Sequence, residues 1–139
     1  EVRVLRGDLS ESDMLVTPGY AAAGGTATYT LRVRNSGPVD IAGSLLCLPP
    51  EPLSVDIASL YASAGSIGWE DGVRWEGLVR AQGMVIVRLT VAIPKDAPQQ
   101  TLMTEAHLVD VGGLETVLQA DLTIGAETGR VVYLPMMLR

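Results

Sequence analysis

Residues 26–35 read TATYTLRVRN, with Ala27, Tyr29, Leu31 and Val33 apolar and Thr28, Thr30, Arg32 and Arg34 polar. A period of two puts the apolar set on one face of a β-strand and the polar set on the other, whereas a helix would mix them. This segment is therefore a strand with one face on a core and one toward water. It runs into Ser36, Gly37 and Pro38, which favour a turn. The same alternation recurs at Val85, Val87, Leu89, Val91 and Ile93, and again at Leu118, Ala120, Leu122 and Ile124.

Less regular strands are expected over 41–48, 73–79 and 102–111, because PPEP, EDG, AQG, PKDAP and VGG punctuate the chain between them. Residues 53–66 are the one place where a short turn of helix could fit, but Val55, Ile57 and Tyr61 suit a strand equally well, and the segment reads as strand or loop. The two ends, EVRVLRG and GRVVYLP, are β-branched and read as additional edge strands or as fraying termini. Short strands at even spacing with no amphipathic helix describe an all-β sandwich.

The chain has 139 residues, the size of a single domain. Phe is absent and aromatics make up 4% of it, so the core must be aliphatic. Ten basic residues against sixteen acidic ones give a net charge of −6, and the nine Arg and one Lys form no basic stripe along the sequence, which argues against nucleic acid as a partner. Cys47 is the only cysteine, so no internal disulfide can form. No apolar run approaches the ~20 residues needed to cross a bilayer, and no membrane span is expected. The chain starts at Glu1 without a charged-then-apolar leader, as expected for a processed product or an excised fragment.

The motifs GGTATYTLRVRNSGP, CLPPEPL, GVRWEGLVRAQGMVIVRLTVAIP and TEAHLVDVGG follow in an order that resembles the bacterial surface repeat called domain of unknown function eleven. The resemblance covers roughly residues 9–125. It implies an immunoglobulin-like antiparallel β-sandwich of about seven to nine strands. It also implies a non-catalytic role as spacer or adhesion module, often in tandem, on secreted or cell-surface bacterial proteins. Its partners would be neighbouring domains of a parent chain or other surface proteins. The family's usual acidic residue two places before its Leu-Pro pair is Leu46 here, so any role of that carboxylate is lost. On this reading residues 1–128 form the sandwich and 129–139 a tail. VYLPMMLR resembles the ends of secreted bacterial proteins that carry such repeats, which makes the tail a candidate export or attachment signal. The plainer alternative is an edge strand docked through Tyr133, Leu134 and Met136.

Candidate chemistry is sparse. Asn35 and Lys95 are the only residues of their kinds, and some bacterial surface sandwiches join such a pair in an isopeptide crosslink. If their strands lie antiparallel in one sheet, the two residues fall at opposite poles, and Asn35 is expected to bond its own turn backbone instead. One histidine, His107, and one thiol cannot assemble a zinc site. His107 alternates with Ala106 and Leu108 and should face outward, while Cys47 should pack as a small hydrophobe, so neither an enzyme nor a resident cofactor is expected. Calcium could be held by Asp8, Glu11 and Asp13, or by Glu70 and Asp71, although both sets also read as ordinary solvated acidic turns. Trp75 should fill the core. Tyr61 and Trp69, if both exposed, could stack on a glycan, the alternative role being a carbohydrate- or protein-binding module that uses inter-strand loops or an open sheet edge. Packing under the loop is the simpler expectation for these two rings.

Overall fold

A computed structural model of the chain describes residues 5–125. Ten strands form two sheets that face each other, with no helix among the described residues. They are β1 (Asp13–Thr17), β2 (Tyr20–Ala22), β3 (Thr26–Arg34), β4 (Ile41–Cys47), β5 (Ser54–Ala62), β6 (Ser66–Trp69), β7 (Val73–Val79), β8 (Met84–Ala92), β9 (Gln100–Asp110) and β10 (Glu115–Gly125). One sheet has the order β1-β3-β8-β5 and the other β2-β10-β9-β4-β7-β6. The architecture is an immunoglobulin-like β-sandwich.

The alternation seen in the sequence decides which side chains fill it. Ala27, Tyr29, Leu31 and Val33 of β3 lie opposite Val91, Leu89, Val87 and Val85 of β8, and all eight are buried. From the other sheet Leu45, Cys47, Val73, Trp75, Ala106, Leu108, Leu118 and Leu122 close the core. Trp75 is its largest buried side chain, and its indole N–H donates to the Ala64 carbonyl at 2.8 Å. Tyr29 reaches across to the facing sheet, where the Thr104 hydroxyl donates to the phenol oxygen at 2.9 Å. Among the described residues no buried side-chain nitrogen or oxygen lacks a partner.

Several expectations need correction. Ten strands stand among the described residues where about seven to nine are expected, because residues 13–22, beyond the acidic turn, carry β1 and β2 and because 53–66 splits between the two sheets. β5 pairs with β8 through an irregularity between Asp56 and Tyr61, while β6 pairs with β7. At the irregularity Ser59 Oγ donates to the Asp56 carbonyl and accepts from Thr90 N–H, a task that belongs to backbone in a regular ladder. The sandwich is also not wholly antiparallel, since β2 runs parallel to β10. Pro18 has no N–H to extend the β1–β3 ladder, so the chain steps across to the other sheet without reversing and meets β10 in the same direction. Residues 5–7 are not strand. The remainder of EVRVLRG, at 1–4, and the tail at 126–139 lie outside the described residues.

Candidate binding surfaces

Asn35 is fully buried at the end of β3. Its Oδ1 accepts from Gly37 N–H at 2.9 Å and from Asp8 N–H at 3.0 Å, and its Nδ2 donates to the Val39 carbonyl at 2.8 Å and the Val79 carbonyl at 3.0 Å. Two acceptor sites and two donor hydrogens are thereby all used. The amide bonds its own turn as expected, and beyond that it ties the turn to the segment before β1 and to the end of β7. Gly37 is required there because a Cβ would lie 2.5 Å from the Arg6 carbonyl oxygen. Lys95 follows β8 at the opposite pole, since Arg34 lies opposite Met84 and Thr26 opposite Ala92. The nine residues of β3 separate the poles by about 30 Å.

Cys47 and His107 face opposite ways. Cys47 pairs with Ala106 and is buried, and burial pushes its thiol up to about 12. Tyr29 is raised as well, first by burial, with the Thr104 hydrogen bond opposing. His107, next along β9, stands on the outer face, where its Nδ1–H donates to Glu115 Oε2 at 2.8 Å and its Nε2 lies 3.6 Å from Glu105 Oε1. The thiol is withdrawn from water and the imidazole is held between carboxylates, so the two do not meet as a nucleophile and base.

The acidic candidates are not drawn into a cage. Asp8 Oδ1 accepts from Ser10 N–H at 2.9 Å, and its carboxyl is lowered chiefly by its hydrogen bonds to Ser10. Asp13 is held in a two-point pair with Arg32 at 2.7 Å, Glu11 is exposed beside it, and Glu70 and Asp71 sit in the exposed turn between β6 and β7. Among the described residues no group of three or more His, Cys, Asp or Glu side chains is disposed to hold a metal ion.

Tyr61 and Trp69 do not pack under the loop: they are 47% and 45% exposed. They also belong to different sheets. Tyr61 stands on the outer face of the four-stranded sheet with the Arg88 guanidinium 5.6 Å from its ring centre. Trp69 ends β6, the edge strand of the wider sheet, so no further strand closes over its ring. Beside it lies an open groove of ≈ 420 Å³ lined by Ser66, Gly68, Trp69, Glu70, Arg74 and Glu76. Arg74 Nε donates to the Glu70 carbonyl at 2.7 Å, which fixes one wall.

A second trough went unseen in the sequence because only strand register creates it. On the outer face of the six-stranded sheet, β4 presents Ala42, Ser44 and Leu46, which are smaller than their neighbours on β9 (Val109 and His107) and β7 (Glu76 and Arg74). The alternation of IAGSLLC was visible, but which strands flank it was not.

No family model matches the sequence, and no curated protein matches it. Solved structures share the fold at low identity. The collagen-binding subdomain of the Enterococcus faecalis surface protein ACE is 13% identical with a TM-score of 0.56, over 84% of this chain and 98% of that one. The CARDB domain of a Pyrococcus furiosus protein, solved in complex with di-metal ions, is 10% identical with a TM-score of 0.56, over 91% and 100%. The N-terminal domain of a Streptococcus gordonii adhesin is 12% identical with a TM-score of 0.60, over 86% of this chain and 34% of that one. At these identities the likeness is one of fold.

Proposed function

We propose that the chain is a non-catalytic structural or adhesion module of a bacterial secreted or cell-surface protein, holding neighbouring domains at a fixed distance. The observation that carries this reading is the parallel pairing of β2 with β10. Tension applied through the chain before β1 and after β10 pulls these two strands in opposite directions along their axes. Their hydrogen bonds, among them Thr123 N–H to the Gly19 carbonyl at 2.9 Å, are then loaded together in shear rather than opened one at a time. The resemblance to the bacterial surface repeat and the adhesin and collagen-binding neighbours favour the same setting.

Single-molecule pulling tests the reading. Thr123→Pro removes one donor of the β2–β10 pairing, and its unfolding force should fall well below that of a core variant of matched stability, chosen from larger core deletions such as Leu108→Ala. Equal forces for the two would overturn it.

A second reading, a binding module, is favoured by the exposure of Trp69 beside its groove, an apolar ring next to hydrogen-bonding side chains that suits a sugar face. Tryptophan fluorescence titrated with a panel of glycans reports on it directly. A response that Trp69→Ala abolishes supports binding there, and a flat titration discards it.

A further inference from the structure

The fold sorts charge that the sequence scatters. On the outer face of the four-stranded sheet Arg32, Arg34 and Arg88 stand against Asp13 and Asp56, three arginines to two carboxylates. On the outer face of the six-stranded sheet Glu76, Glu105, Glu115 and Asp121 stand against Arg74, four carboxylates to one arginine. Among the described residues Asp13 is committed to Arg32, whereas Arg34, Arg88 and Asp56 on the first face and Glu76, Asp121 and Arg74 on the second have no ion-pair partner, which leaves one arginine in excess on the first face and, with Glu105 and Glu115 counted, carboxylates in excess on the second. The unspent charge is therefore basic on one side of the sandwich and acidic on the other.

Each face also exposes apolar side chains between its charges: Leu15, Tyr61 and Met84 on the basic side, and Leu78, Met103 and Val117 on the acidic side. Apolar contact surrounded by complementary charge is the composition of a specific protein interface. We infer that the partner of each face is the opposite face of a second copy of this chain.

The arginines of one molecule dock on the carboxylates of the next. Because the two contact surfaces differ, every bound copy keeps one basic and one acidic face free, and association continues as a stack instead of closing as a dimer. From strand spacing and rise the four-stranded face measures about 19 Å by 30 Å, on the order of 600 Å² per copy. That sits at the lower end of specific interfaces, so the contact is weak in dilute solution and dominated by electrostatics. It favours molecules held close together, as on a crowded surface. The inference does not depend on the proposed function, and a strictly monomeric domain would leave that reading intact.

Sedimentation velocity on the purified chain over a concentration series tests it. Between about 20 mM and about 500 mM salt the Debye length falls from roughly 20 Å to about 4 Å, so the stack should form at the first and return to monomer at the second. Arg34→Gln with Arg88→Gln disables the basic face, and Glu76→Gln with Asp121→Asn the acidic one; circular dichroism confirms that both variants fold. Each alone should associate at least about tenfold more weakly than the parent. Mixed in equal amounts, each variant still offers the face the other lacks, so a one-to-one dimer should form and nothing larger. A parent that stays monomeric at low salt, association that survives in either variant, or a mixture that forms no dimer would each overturn the inference.

Discussion

A single amide organises one pole of the sandwich. Asn35 is bonded to backbone from three separate segments. Asn35→Ala leaves two N–H and two carbonyl groups unsatisfied in a buried site, and a loss of about 3–5 kcal/mol is expected from urea unfolding. Asn35→Asp keeps the acceptors but faces the Val39 and Val79 carbonyls with a buried negative charge, so it should be no more stable than the alanine variant at neutral pH and should recover as the pH is lowered and the carboxyl protonates. Cys47 supplies a second test at this scale. Its thiol is raised from 9.0 to about 12 by burial, so the folded state holds the proton more tightly than the unfolded state does. The stabilisation that follows is complete below pH 9 and is lost as the pH rises toward 12, at up to about 1.4 kcal/mol per pH unit. Tyr29, raised in the same direction from 10.0, steepens the fall above pH 10. Cys47→Ala costs stability at neutral pH but should show a shallower decline between pH 9 and 12. Parallel pH profiles for the parent and the variant would contradict this account.

Among the elements, the connection between β5 and β6 carries the chain from one sheet to the other, and it depends on Gly65. The residue has a φ of +83, and a Cβ there would lie 2.5 Å from the Glu76 carbonyl oxygen and 2.7 Å from the Trp75 indole nitrogen. Gly65→Ala should therefore cost at least about 2 kcal/mol and shift the fluorescence of Trp75, whose Nε1 bonds the adjacent Ala64 carbonyl. Normal stability with unshifted emission would refute the assignment. The same contrast explains what the sequence could reveal. β3, β8 and β10 were legible because each buries one face along its length, so Leu31 and Val87 stand in a strict period and lie opposite one another. β1 was hidden because only Met14 of its five residues is buried and Pro18 follows at once, and β5 was legible only as strand or loop because it bulges where Ile57 faces solvent. The candidate surfaces were less legible still. Trp69 is exposed because β6 is an edge strand, and Arg34 shares an outer face with Arg88 because β3 pairs with β8; both are properties of strand order, which local pattern does not encode.

For the whole molecule, the consequence is one cooperative unit. β1 and β2 are neighbours in sequence yet belong to different sheets, as are β5 and β6, so neither layer can be completed while the other is absent. β2 pairs with β10, β3 with β8, and β4 with β7 and β9; among the described residues only the β9–β10 and β6–β7 ladders join consecutive strands. Loop-closure entropy must be met before those pairings return free energy, which slows the search. Refolding is expected on the millisecond-to-second scale typical of all-β sandwiches. Trp75, between the sheets, reports packing, while far-ultraviolet circular dichroism reports strand formation. If the core and the ladders form together, the two signals should share one denaturation midpoint and one rate in stopped-flow mixing. Strand signal that precedes Trp75 burial by a resolved phase would mean that one sheet stands alone, and the dependence of each layer on the other would have to be abandoned.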